Sequence, residues 1–127
     1  MVSVTTFWIS FSITLTLLGA TVWTGFLRKR KLHVALALAT VAFLTVTVLL
    51  TEALLRAVDF PKREMGIHLV FAKTAALLVL PVAGTGLLTW KRAKWRRVHL
   101  GCVVAFLLVA VTAAGTGLWA YSLATPR

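Results

Sequence analysis

Three histidines carry most of the chemical potential of this chain: His33, His68 and His99, each near the start of a long apolar run. Neutral imidazole is a common metal ligand and the usual axial ligand of haem in membrane cytochromes. His33 and His99 sit about two positions into runs that start on the same side of a bilayer. Two imidazoles on separate helices at one depth are the minimum for bis-imidazole ligation of haem or a metal. The plainer reading is that an interfacial His beside a basic turn contacts water, headgroups or a helix terminus.

His68 falls on the opposite side, with Met65 three residues earlier as the nearest soft donor. A His/Met combination suits copper or haem, although a methionine in a turn also meets lipid. Cys102, three residues after His99, is the single cysteine, and with no second thiol it reads as a buried structural residue. Glu52, Arg56 and Lys73 are the ionisable residues inside the apolar runs. Glu52 precedes Arg56 by one turn, the favourable order for an intrahelical pair, and Lys73 falls at a similar depth. Such a cluster is a functional candidate by default, able to receive a propionate or quinone headgroup or to couple to a proton. The alternative is that Lys73 and Arg56 snorkel outward while Glu52 neutralises them.

The elements that position these residues are four apolar stretches near residues 4–27, 33–57, 67–90 and 98–123. A bilayer core of about 30 Å needs roughly 20 apolar residues in helical form, so each stretch qualifies as a span. The first gap, Arg28 to Lys31, holds four cations; the third, Lys91 to Arg97, holds five; neither has an acid. In the middle gap Asp59, Lys62, Arg63 and Glu64 cancel. Cytoplasmic loops retain Lys and Arg, so the basic gaps are expected inside and both termini outside. Trp8 and Trp119 then fall at the outer interface and Trp23, Trp90 and Trp95 at the inner one, where indole rings favour the boundary.

The sequence therefore predicts an all-α integral membrane protein: one domain over residues 1–127, an antiparallel four-helix transmembrane bundle with short connections. With no basic residue in Met1 to Thr24, the first run is expected to remain as a helix rather than to act as a cleaved signal. The net charge of +11 belongs at anionic headgroups, and short basic turns between spans argue against nucleic acid as the partner. No phosphate loop, Ser/His/Asp set or paired carboxylates are present, so no enzyme activity is expected.

The third and fourth runs repeat one another. His68-Leu69 and Ala83-Gly84-Thr85-Gly86-Leu87 recur as His99-Leu100 and Ala114-Gly115-Thr116-Gly117-Leu118, each position offset by 31 residues. At 100° per residue, His68 shares a stripe with Ala72, Ala75, Val79, Val82 and Gly86, and His99 shares one with Val103, Phe106, Ala110, Ala113 and Gly117. Small stripes permit close helix packing, with Gly84, Gly86, Gly115 and Gly117 as packing residues. The sharper reading is a slot for a flat macrocycle. In the second run, His33 shares a face with Thr40, Thr47 and Thr51, whose hydroxyls are expected to bond to their own helix or a neighbour. Pro81 is expected to kink the third helix.

The order of Arg30-Lys31-Leu32-His33, His68-Leu69-Val70 with Pro81, and Arg96-Arg97-Val98-His99 with Thr116-Gly117 and Tyr121 resembles the CtaM-like four-helix membrane proteins that mature haem-a-type cytochrome oxidases. The likeness runs from about Arg28 to Leu123; Ala37 stands where that family often has Met, and Lys73 is an added charge. The resemblance implies an accessory or assembly protein of a respiratory haem-copper oxidase in a bacterial-type plasma membrane, with larger oxidase subunits as partners. His33, His68 and His99 would then handle haem or copper. Two other readings stay open: a small b-type or quinone-interacting electron-transfer subunit, and a structural subunit of a respiratory or photosynthetic complex.

Overall fold

The computed structural model describes residues 3–127. Four long helices dominate: α1 (Val4–Phe26), α2 (Arg30–Leu55), α3 (Lys62–Lys91) and α4 (Arg96–Ser122), with a single 3-10 turn at Ala93–Trp95 leading into α4. All four are long and apolar enough to cross a membrane. The chain divides into two compact units, one running to Val58 and including Arg127, the other Asp59–Pro126. Each is an antiparallel helical hairpin, α1 on α2 in the first and α3 on α4 in the second.

Helix starts differ from the apolar runs. α2 begins at Arg30, α3 at Lys62 and α4 at Arg96, which makes His33 and His99 the fourth residues of their helices and His68 the seventh. The physical reason is that Lys and Arg have helix propensities close to that of Leu. Hydropathy marks where a helix becomes apolar, whereas the backbone begins to coil a turn earlier, through its cations. α3 runs unbroken through Pro81.

Local chemistry sets the ends of α1. Ser3 is the N-cap, its Oγ accepting from the Thr6 amide at 3.1 Å. At the other end the Arg28 amide donates to the Gly25 carbonyl at 3.2 Å and the Lys29 amide to the Thr24 carbonyl at 3.1 Å. This double closure is a Schellman motif, which wants a left-handed residue after the cap. Arg28 supplies it at φ 56°, although glycine is the residue that adopts this conformation without strain. Arg28→Gly is therefore expected to stabilise the first hairpin by about 1 kcal/mol despite losing a cation. An SDS titration of helical circular dichroism in mixed micelles will read the change.

The polarity of the fold is inverted relative to a water-soluble protein. Among the described residues, the buried apolar ones are Leu54, Ala75, Ala113 and Ala120, whereas Ser10, Thr14, Thr21, Thr24, Thr40, Thr47 and Thr85 are buried polar ones. Large aliphatic side chains face outward, with Leu80 and Val111 each 70% exposed. That arrangement suits a hydrocarbon solvent, in which helices associate through small residues and interhelical hydrogen bonds rather than by hiding apolar surface. Hydroxyls join the two helices of the first hairpin. Ser10 Oγ meets Thr47 Oγ1 at 2.7 Å, Thr14 Oγ1 meets Thr47 Oγ1 at 3.0 Å, and Thr21 Oγ1 meets Thr40 Oγ1 at 2.9 Å. Thr40 and Thr47 also donate to Leu36 and Phe43 one turn back, while Thr51 bonds within its own helix, to the Thr47 carbonyl.

Candidate functional site: three imidazole clasps

Each histidine crosses its hairpin and lies on a glycine of the neighbouring helix. A Cβ built on Gly25 would stand 3.2 Å from both Cε1 and Nδ1 of His33; on Gly86, 3.2 Å from Cε1 of His99; on Gly117, 2.9 Å from Cε1 and 3.0 Å from Nδ1 of His68. The absence of a side chain makes the seat. All three rings are half-buried.

The same nitrogen is engaged each time. Nδ1 of His33 lies 2.8 Å from the Thr21 carbonyl oxygen and Nδ1 of His68 lies 2.8 Å from that of Ala113. A carbonyl only accepts, so Nδ1 carries the hydrogen. Nδ1 of His99 lies 3.1 Å from Thr85 Oγ1, whose own hydrogen goes to the Pro81 carbonyl at 2.6 Å. The hydroxyl must therefore accept, and Nδ1 again donates. In a neutral ring this fixes the tautomer and puts the lone pair on Nε2, the state that prepares imidazole for a metal.

The glycine side of the clasp is equally regular. A threonine precedes each seat, and its hydroxyl reaches the carbonyls four and three residues back: Thr24 to Ala20 and Thr21, Thr85 to Pro81 and Val82, Thr116 to Thr112 and Ala113. Thr21 and Ala113 thus supply carbonyl oxygens that bond both a threonine and an imidazole. In α3 and α4 the clasp follows the repeat, so His68 pairs with Gly117 and His99 with Gly86, at opposite ends of the hairpin.

The repeat marks Gly86 and Gly117 but not Gly25, the third seat. Gly25 lies closer in sequence to His33 than Gly86 does to His99, so this copy falls out of register with the offset of 31. The dipeptide Thr24-Gly25 is the signal that could have found it. The fourth end, 18 residues before Gly25 and after His33, has Phe7 and Thr51 in place of the histidine and glycine. Phe7 there packs on Trp8 and Phe11, with ring centroids 5.3 and 5.9 Å away.

The other candidates are distributed differently. Gly84 and Gly115 are exposed, and a Cβ on either would meet nothing within 4 Å. Glu52, Arg56 and Lys73 are exposed on their helices, and among the described residues no ion pair joins Glu52 to Arg56. Cys102 is a half-buried free thiol and Met65 is half-buried near the start of α3. Beside the start of α3 and the end of α4, Phe60 and Tyr121 meet in a tilted pair with centroids 6.4 Å apart.

Donor count bears on which group these imidazoles suit. Among the described residues no set of three or more His, Cys, Asp or Glu converges on one point. A bare copper ion needs several protein donors, whereas haem brings four equatorial nitrogens and asks the protein for one or two. Cations stand within one or two turns before each ring: Arg30 and Lys31, Lys62 and Arg63, Arg96 and Arg97. They complement propionate carboxylates. The residues present therefore fit haem better than a bare metal. No family model, curated protein or solved structure matches the chain.

Proposed function

We propose that this chain is a multi-pass membrane accessory protein that holds haem through histidine on behalf of a respiratory haem-copper oxidase. The observation that carries the haem part is the thrice-built clasp, in which Nδ1–H is bonded across the hairpin and the lone pair sits on Nε2. A hydrogen bond from the opposite ring nitrogen orients a ligating imidazole and raises its basicity. Bound haem would supply redox or group-carrier chemistry; the chain itself orients the imidazoles, excludes water with apolar helices and offers cations to carboxylates.

The oxidase assignment rests on the order of landmarks shared with CtaM-like proteins. Exposed Glu52 and Lys73 add support, because ionisable groups on outward faces of spans gain from a partner that pairs them. The nine cations of the two basic turns favour a bacterial-type plasma membrane orientation with those turns cytoplasmic and both termini outside.

Deleting the protein is expected to lower the haem content of the assembled oxidase severalfold in isolated membranes, measured by reduced-minus-oxidised spectra. Wild-type chain should restore it, and a chain with His33, His68 and His99 all changed to Ala should not. Normal oxidase spectra in the deletion strain would end the assignment; restoration by the triple variant would end the role of the imidazoles.

A further inference from the structure

The second hairpin has two imidazole seats, and their placement bears on how many haems it takes. His68 lies against Gly117 and His99 against Gly86. Since 18 residues of α3 separate His68 from Gly86, the two rings stand about 27 Å apart along the helix at 1.5 Å per residue. No single iron reaches both. Each ring also has its own acceptor, Ala113 for His68 and Thr85 for His99, and its own preceding cations, Lys62 and Arg63 for one, Arg96 and Arg97 for the other.

We propose that the α3–α4 hairpin carries two separate single-imidazole haem sites, one at each end, that load independently. The inference rests on the haem-holding function and deepens it. Its strength comes from the repeat: the seats are built from matched residues in matched geometry, so chemistry open to one is open to the other. The acceptors differ in one respect. A backbone carbonyl takes the Nδ1 hydrogen of His68, whereas His99 gives its hydrogen to a hydroxyl that is itself a donor. The stronger acceptor makes His68 the more electron-rich ligand, so the two haems differ in potential, with the lower at His68.

The test is a haem titration of the full chain in detergent, followed at the Soret band, with His33→Ala present to leave the second hairpin's imidazoles alone. Two equivalents are expected, falling to one with either His68→Ala or His99→Ala added and to none with both. Gly117→Ala, which disturbs His68 without removing it, should weaken one equivalent by about 10- to 100-fold and spare the other. That variant also serves if His68→Ala loses its helix content. A single equivalent lost in either single variant would show one shared site and overturn the proposal while sparing the haem-holding function beneath it. No Soret shift in the wild-type chain would overturn both.

Discussion

Gly117→Ala will destabilise the second hairpin by about 1–2 kcal/mol, whereas Gly115→Ala, two residues away on the same helix, will stabilise it by up to about 1 kcal/mol. The opposite signs follow from what a methyl group meets. At Gly117 it would lie 2.9 Å from Cε1 of His68, too near for any real contact, and moving the ring breaks the bond from Nδ1 to the Ala113 carbonyl. At Gly115 it enters open space, and only the gain in helix propensity remains. Gly84→Ala should behave as Gly115→Ala does, and Gly25→Ala and Gly86→Ala should be milder than Gly117→Ala, because their nearest contacts are 3.2 Å. SDS titrations of helicity will rank the set. Combining Gly117→Ala with His68→Ala should remove most of the clash, a coupling that a double-mutant cycle isolates. Equal effects at Gly115 and Gly117 would contradict the seat.

Thr47→Val is the second large effect, a loss of about 1–1.5 kcal/mol from the first hairpin. Thr47 Oγ1 donates to the Phe43 carbonyl at 2.9 Å, so its contact with Ser10 at 2.7 Å is one in which Ser10 donates. Valine keeps the shape and removes the acceptor, leaving a buried Ser10 hydroxyl without its partner across the helices. Thr45→Val is the control: Thr45 is exposed and bonds to Val41 of its own helix, so its replacement should change stability by under about 0.5 kcal/mol. If the two valines cost the same, hydroxyl pairing between α1 and α2 does not stabilise that hairpin.

Much of this architecture is legible in the residues themselves. Apolar length alone marks four spans, and the pairing of neighbours follows from short turns. The match of residues 68–87 with 99–118 at an offset of 31 identifies two of the three seats, because a symmetric sequence on antiparallel helices puts each histidine opposite the other's glycine. What spacing on one helix does not reveal is which glycine receives a ring. His68 and Gly86 share a stripe on α3, yet the ring rests on Gly117 of α4, and Gly86 receives His99. Similarly, Gly84 and Gly115 share the composition of the seats but point elsewhere, turned by about 200° around the helix from Gly86 and Gly117. The first helical turns escape a hydropathy reading because cations interrupt the apolar signal without interrupting the backbone.

α4 bears a histidine in its first turn and, 18 residues later, the glycine that accepts one, so a single helix holds both halves of the fastener. Two such helices laid head to tail would be self-complementary, each locking the other at both ends. The second hairpin is thus the covalent form of a symmetric dimer, and an isolated peptide spanning α4 has what it needs to rebuild that dimer in a micelle without any other part of the chain.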